Sequence, residues 1–218
     1  LRRKQELSHD AAIRTVITRV LVSPNFLYRI ERSAPGEQAV TLSDWELASR
    51  LSYFLWSSMP DDQLRTAAGN GRLQDEEVLI AEASRMLKDS KARALATEFV
   101  GQWLQVRNIN EQAPDGALFA QFNDTLRRAM VRETELFFES ILREDRSVLE
   151  FLTADYTFVN ERLARHYEIP NIHGNHFRRV RWPDDRRAGL LGLGSILTLT
   201  SYANRTSPVS RGKWVLET

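Results

Sequence analysis

The feature that most constrains the fold is one long amphipathic segment, DTLRRAMVRETELFFESILRED, which follows Asn123. Its apolar residues Leu126, Met130, Phe137 and Ile141 recur at intervals that place them on one face of a helix. Asparagine is a favoured helix N-cap, because its side chain accepts a hydrogen bond from a free backbone N–H of the first turn. The segment therefore predicts a long helix whose apolar face must be covered by other elements.

The same helical spacing recurs through most of the chain. The segment LSDWELASRLSYFLW opens with a capping box formed by Ser43 and Glu46, and Ser23 with Pro24 has the composition of a helix start. Breaks are predicted at PGEQ and GNGRL, because glycine and proline interrupt helices. A short helix is predicted to begin at MPDDQL, and further helices are predicted over residues 13–21, 75–87, 90–106 and 160–166.

The last quarter of the chain has a different composition. DYTFVN is rich in β-branched and aromatic residues, and FRRVRW alternates as a single strand or extended segment does. RRAGLLGLGSILTLTS is apolar and contains three glycines, which disfavour a helix and indicate close backbone packing. Because one short strand cannot form a sheet, the sequence predicts a mainly α fold: a multi-helix, bundle-like body with a short extended segment in the C-terminal quarter.

Composition and motifs exclude several kinds of chemistry. The 218 residues include no cysteine, which excludes disulfides, thiolate zinc sites, iron–sulfur clusters and covalent haem attachment within them. No apolar run approaches the roughly 20 residues that a membrane-spanning helix needs. Ser195 lacks the flanking glycines of a hydrolase nucleophile, and Trp214 stands where a phosphate loop has serine or threonine. No catalytic residue is assigned.

Three histidines, His166, His173 and His176, are close enough in sequence to be considered as metal ligands. No acidic or thiolate residue is matched to them, and a metal site needs further ligands and supporting hydrogen bonds. The sequence therefore predicts no tight transition-metal site.

The long amphipathic segment also contains three glutamates, Glu133, Glu135 and Glu139. Glu135 and Glu139 are four residues apart and would share a face of the helix. All three are predicted to lie on a solvated face, with Arg132 and Arg143 as ion-pair partners.

The closing segment NRTSPVSRGKW is the strongest candidate for a binding site. The net charge is only +1, yet residues 160–213 contain 10 basic and 4 acidic side chains, against 20 and 24 in residues 1–159. Ser207 is predicted to cap a last helix, and a helix start attracts anions through free N–H groups and its positive dipole end. The candidate ligands of a carboxylate, sulfate or phosphate are Arg205, Thr206, Ser207, Arg211 and Lys213, with His166 as a possible pocket residue.

An alternative interpretation of the same cations is structural. Arg205 and Arg211 would then pair with carboxylates of the acidic part of the chain, such as Glu133 or Asp155, and fix a joint between regions. A pocket lined by Arg205, Arg211 and His166 would favour binding over this alternative. The basic residues show no nucleic-acid-binding motif, so no nucleic-acid partner is predicted.

Five segments in fixed order carry a resemblance to known domains: LSDWELASRLSYFLWSSMPDDQL, EFVGQWLQVRN, RRAMVRETELFFESILREDRSVLEFL, DYTFVNERLARHYEIP and SILTLTSYANRTSPVSRGKWVLE. They resemble adjoining domains of unknown function, the DUF1595, DUF1592 and DUF1588 series, of large exported planctomycete proteins that often contain a c-type cytochrome domain. The opening VLVSPNFLYR resembles the end of the domain that precedes them.

The resemblance implies an exported protein, periplasmic or at the cell surface, with any haem c carried elsewhere in a longer chain. It implies three regions: residues 1–34 as the end of a preceding helical domain, 35–154 as a helical domain, and 155–218 as a glycine-containing basic domain cut at its end. We expect a non-catalytic helical scaffold that docks a haem domain or redox partner and is linked to electron transfer. The alternative is a binding or catalytic domain for an anionic ligand, such as an acidic or sulfated polysaccharide.

Overall fold

The structure, a computed structural model of the chain, describes residues 8–28, 31 and 41–218. The described residues form two compact units, one from the residues up to 53 with 59–81, the other from 54–58 with 82–218. Helices dominate both units, and the described strands form two small antiparallel sheets of two strands each. The mainly α prediction is confirmed.

The first unit is helical. Its helices are α1 (His9–Leu21), α2 (Pro24–Leu27), most of α3 (Asp44–Trp56), α4 (Asp62–Gly69) and the first half of α5 (Glu76–Lys88). The predicted capping box is confirmed, because the Ser43 N–H donates to the Glu46 carboxylate at 2.7 Å and the Ser43 hydroxyl accepts from the Glu46 N–H at 3.4 Å. The Leu73 N–H donates to Asp44 Oδ1 at 2.6 Å, which ties the glycine-containing turn after α4 to the start of α3.

The apolar stripe of α1 is exposed to solvent in the structure. Ile13, Val16, Ile17 and Val20 all retain more than two fifths of their surface. The helix itself is confirmed, with Ser8 as its N-cap. The predicted break at PGEQ and the predicted boundary between residues 34 and 35 lie outside the described residues.

The predicted helix over residues 90–106 is present over residues 93–103, but a π-helical turn interrupts it and 3-10 segments flank it. In chain order, the segments are a 3-10 turn (Ser90–Ala92), a π-helical turn (Leu95–Phe99), α6 (Val100–Trp103) and, after Gln105 in the left-handed conformation, a second 3-10 helix (Val106–Glu111). Leu95, Ala96 and Val100 are all buried. A π-helical turn places residues five apart on the same side, which regular α-helical spacing would not do.

The long helix α7 (Asp124–Arg143) is the centre of the second unit. Asn123 caps it as predicted, accepting a hydrogen bond from the Leu126 N–H at 3.0 Å. The predicted face of Leu126, Met130, Phe137 and Ile141 is buried. Several aromatic rings pack around that face, and they belong to Phe99, Trp103, Phe137, Phe138, Phe151 and Tyr156.

The chain after α8 (Glu150–Thr153) forms a small sheet against α7. β1 (Tyr156–Val159) pairs with β2 (Arg178–Arg181), so the predicted extended segment FRRVRW is not alone and has DYTFVN as its partner in one antiparallel sheet. Between them lies α9 (Glu161–His166), which Asn160 caps. The predicted boundary between residues 154 and 155 falls within the second unit and stays a prediction.

The glycine-containing stretch leads to the end of the chain through a 3-10 turn (Leu190–Gly192) and α10 (Gly194–Leu199). The hairpin β3 (Ser201–Tyr202) and β4 (Arg205–Thr206) follows, and then α11 (Pro208–Glu217). Ser207 caps α11 as predicted, accepting from the Ser210 N–H at 3.1 Å. A methyl group on Gly189, Gly192 or Gly194 would lie 2.3, 3.1 or 2.6 Å from its nearest neighbour, so these glycines do permit close packing.

Candidate functional site

A cavity of about 730 Å³ opens in the second unit. Its floor is formed by Met130 of α7 with Gly194, Leu197 and Thr198 of α10. The loop over residues 112–122 forms one wall and the β3–β4 hairpin another. The remaining wall holds polar side chains from the end of α9 and the segment before α10, which are Arg165, His166, Glu168 and Arg187.

One backbone hydrogen bond holds the 112–122 loop beside the hairpin, and two arginine side chains hold its ends. The Asp115 N–H donates to the Ala203 carbonyl at 2.8 Å. At the two ends of the loop, Arg127 donates to the Gln112 carbonyl at 3.0 Å and Arg162 donates to the Gln121 carbonyl. The loop carries Phe119, a residue that is 45% exposed and lines the cavity.

Three of the five predicted anion ligands line the cavity together with His166. They are Arg205, Thr206 and Arg211. Arg211 donates to the Thr206 hydroxyl at 3.0 Å, and the Arg205 guanidinium stacks over the Tyr202 ring at 5.2 Å. These contacts orient both guanidinium groups without neutralising them.

The other two predicted ligands have different roles. Ser207 is buried and its hydroxyl is used by Ser210, both as acceptor from the backbone N–H and as donor to the side chain at 2.8 Å. Lys213 lies two residues beyond Arg211 on α11, is not among the residues that line the cavity, and faces Glu217 at 3.7 Å.

Arg187 is a cavity residue that the sequence analysis did not identify. Its Nη1 donates to the Gly192 carbonyl at 2.6 Å, and its guanidinium lies 4.6 Å from the centre of the Tyr167 ring and 5.6 Å from that of Trp182. The double arginine of DDRRAG offers no local signal for this role, because Tyr167 lies 20 residues earlier in the chain. Arg165 and Glu168 were also not identified.

The arginines at the cavity differ in whether a carboxylate neutralises them. Within the described residues, Arg187, Arg205 and Arg211 form no ion pair, whereas Arg165 pairs with Glu161. The carboxylates proposed as structural partners are engaged elsewhere: Asp155 faces Arg181 at 3.3 Å, and Glu133 accepts hydrogen bonds from Thr157 and Tyr167. Three guanidinium groups without an ion pair therefore face a cavity in which Glu168 is the one carboxylate among the lining residues, and Arg187 also interacts electrostatically with the buried Glu133.

The His166 ring lies against Tyr167, with 5.5 Å between the ring centres. Desolvation lowers the pKa of His166 below its ordinary value, and the positive charges of Arg187 and Arg162 lower it further. The imidazole is therefore neutral at pH 7 and offers the cavity a hydrogen-bonding group and not a fourth cation.

Beneath the floor of the cavity lies a buried hydrogen-bond network centred on Glu133. Its carboxylate accepts from the Thr157 hydroxyl at 2.5 Å and from the Tyr167 hydroxyl at 2.7 Å, and the Tyr167 oxygen accepts from the Gly194 N–H at 2.7 Å. Burial raises the pKa of Glu133 to about 7, against the opposing effect of these hydrogen bonds and of Arg187. Burial also raises the pKa of Tyr167, and the neighbouring Glu133 adds to that shift.

The prediction of a solvated face is therefore wrong for Glu133. The side chain is fully buried, because β1 and α9 pack against α7 on that side. For Glu135 and Glu139 the predicted ion pairs are confirmed: Glu135 faces Arg132 at 2.7 Å, and Glu139 faces Arg143 at 2.8 Å.

Residues 42–169 match the model of a family described as PSD4, a protein of unknown function (DUF1592). That match covers more than half of the chain. The chain belongs to the DUF1592 family. No curated protein matches it, and no solved structure matches it.

The DUF1592 match includes only part of the cavity. Met130, the 112–122 loop, Arg165 and His166 lie inside it, whereas Arg187, α10, the hairpin and Arg211 lie beyond its end. In this DUF1592 chain the cavity is thus built from the matched region and the segment that follows it.

Among the described residues, no helix has the length and apolar character to span a membrane.

The metal prediction concerns His173 and His176. Within the part of the chain that the structure describes, no three His, Asp or Glu side chains are grouped as a metal site would require. Arg178 donates to the His173 carbonyl at 2.5 Å and lies 3.2 Å from His176 Nδ1, so the positively charged guanidinium of Arg178 already occupies this loop.

We expect no stoichiometric zinc or copper to survive dialysis, as measured by atomic emission. Metal that is retained, and that is lost when both histidines are replaced by alanine, would contradict this.

Proposed function

We propose that this chain binds anionic ligands in the cavity between the 112–122 loop and the β3–β4 hairpin. The observation that carries the proposal is the convergence of Arg187, Arg205 and Arg211, none of which forms an ion pair among the described residues. Arg205 is exposed and Arg187 and Arg211 are half-buried, so a carboxylate, sulfate or phosphate in the cavity can reach them and accept charge-assisted hydrogen bonds.

The walls of the cavity favour an organic anion over a small inorganic one. Phe119, Tyr202 and Leu197 contribute apolar surface, and Thr198 and Ser201 contribute hydroxyl groups. A volume of about 730 Å³ is within the usual range of small-molecule sites, roughly 300–1,000 Å³. An acidic or sulfated sugar, which combines ring faces, hydroxyls and anionic groups, is the ligand class we propose.

Calorimetric titration with sulfate and with acidic and sulfated oligosaccharides tests this proposal. We expect the unsubstituted protein to bind a sulfated oligosaccharide, and Arg205→Ala and Arg211→Ala each to weaken binding roughly tenfold or more, since charged hydrogen bonds contribute about 1.5–3 kcal/mol each. Arg181→Ala is the matched control, because it removes the same charge from an arginine outside the cavity. A neutral oligosaccharide of the same length controls for stacking alone.

Two results would contradict the proposal. One is that no anion binds the unsubstituted protein. The other is that the Arg205 and Arg211 variants bind as well as the Arg181 variant and differ only in melting temperature, in which case these arginines stabilise the hairpin and α11.

The scaffold role predicted from the resemblance, with export, a haem c domain or redox partner and electron transfer, stays a prediction. Its support in the structure is the exposed apolar stripe of α1, where Ile17 and Val20 each retain about half of their surface. Hydrogen exchange with and without an added c-type cytochrome domain tests it. Protection of the α1 amides is expected, and unchanged exchange throughout the chain would contradict it.

A further inference from the structure

Two of the unpaired arginines are anchored at opposite ends of α10. Arg187 donates to the carbonyl of Gly192, just before the helix, at 2.6 Å. Arg211 contacts the hydroxyl of Thr200, directly after the helix, at 3.5 Å, and donates to Thr206 at 3.0 Å. A helix of six residues is about 9 Å long, so the two anchoring points are on the order of 10 Å apart.

The surface between the two anchors is apolar at its centre. Leu197 and Gly194 of α10 form it together with Met130 of α7, and all three line the cavity. A single carboxylate or sulfate is too small to contact both arginines across this floor. One compact anion would therefore leave one of the two guanidinium groups without a partner.

Each arginine is also fixed by contacts that do not involve an anion. Arg187 lies over the rings of Tyr167 and Trp182, and Arg211 is held by two threonine hydroxyls. Because both guanidinium groups are already positioned, a ligand that spans them loses little free energy to side-chain ordering.

Glu168 also lines the cavity and opposes binding of the anion at the Arg187 end. Arg165 lies at that end as well but pairs with Glu161, so Arg187 is the cation there that has no ion-pair partner among the described residues.

We propose that the cavity selects an elongated dianion, with one anionic group at Arg187, a second at Arg211 and Arg205, and an uncharged middle lying along α10. This rests on the proposed anion-binding function and specifies the ligand further. Two chemical sources fit: an oligosaccharide with acidic groups on separate sugar units, and an α,ω-dicarboxylate with a hydrocarbon middle.

The experiment compares ligands that differ only in the number or the spacing of their charges. In the hydrocarbon series, sebacate is compared with its monoanionic analogue decanoate and with the short dianion glutarate. In the sugar series, a disaccharide sulfated on both units is compared with the same disaccharide sulfated on one. Dissociation constants are measured by calorimetry on the full chain at constant ionic strength, because salt screens these interactions.

We expect the long dianion of at least one series to bind roughly tenfold or more tightly than its monoanion, since its second anionic group gains charge-assisted hydrogen bonds of its own. Preference in the sugar series alone identifies a carbohydrate source, and preference in the hydrocarbon series alone identifies a lipid-like source. Arg187→Gln, which keeps a donor for the Gly192 carbonyl, should reduce binding of the dianion to that of the monoanion. The same substitution should weaken the monoanion less than the dianion, and Arg181→Gln should alter neither.

Equal affinity for dianion and monoanion in both series would overturn the inference while leaving anion binding intact. Equal weakening of both ligands by Arg187→Gln would also overturn it. If that variant does not fold, the comparison of ligands on the unsubstituted protein decides the question alone. If no anion binds at all, the proposed function and this inference both fail.

Discussion

Replacing Glu133 with glutamine is expected to remove a pH dependence of stability that the unsubstituted protein shows between about pH 4.5 and pH 7. Burial raises the pKa of this carboxyl from its ordinary value of 4.5 to about 7 in the folded chain. The cause is the loss of water around the charged form, which hydrogen bonds from Thr157 and Tyr167 and the charge of Arg187 only partly offset.

The direction of the effect follows from which state binds the proton more tightly. Between these two pH values the folded chain keeps the proton on Glu133 and the unfolded chain releases it. The contribution to the free energy of unfolding is therefore complete below about pH 4.5 and is lost as the pH rises to about 7. At about 1.36 kcal/mol per pKa unit, the loss is on the order of 3 kcal/mol.

Urea unfolding followed by circular dichroism at a series of pH values measures this difference. The comparison is between the unsubstituted protein, Glu133→Gln and Glu111→Gln, which removes an exposed carboxylate. We expect the stability of the unsubstituted protein relative to Glu133→Gln to fall as the pH rises, and the Glu111 variant to follow the unsubstituted protein. A constant difference across the range would show that Glu133 does not titrate there.

Replacing Gly189 with alanine is expected to destabilise the second unit by roughly 2–5 kcal/mol, the sum of a left-handed backbone cost and an overpacking cost. The φ angle of Gly189 is +48°. A Cβ atom there would lie 2.3 Å from the carbonyl oxygen of Phe151 and 2.7 Å from the carbonyl carbon of Leu152. These are backbone atoms of α8, so they cannot rotate away as a side chain would.

Gly212→Ala is the matched control for this substitution. Gly212 lies within α11, and nothing lies within 4 Å of the position that its Cβ would occupy. Alanine is a better helix former than glycine, so this change should stabilise the protein by about 0.5–1 kcal/mol. Thermal unfolding distinguishes the two variants, and a similar midpoint for both would show that the close approach of Gly189 to α8 is not required.

The closing segment shows how far local patterns can predict a site. Ser207 as the cap of a helix beginning at Pro208 was predicted correctly, because capping depends on residues three apart in the chain. Arg205, Thr206, Arg211 and His166 do line one cavity, although His166 lies about 40 residues earlier than the others. The sequence did not indicate the 112–122 loop as the opposite wall, since its place depends on a hydrogen bond to Ala203.

Helix positions, caps and the apolar face of α7 follow from the sequence, because each depends on side chains within one or two helical turns. Tertiary structure decided the rest. Glu133 lies three residues after Met130 and four before Phe137, which places it on the apolar face of α7, and β1 and α9 cover it there. Glu135 lies on another face and pairs with Arg132. Arg187 lies at the cavity because its guanidinium contacts the rings of Tyr167 and Trp182 and donates to the Gly192 carbonyl, and these groups belong to separate segments. Burial and charge compensation depend on which distant segments meet, and a local pattern does not contain that information.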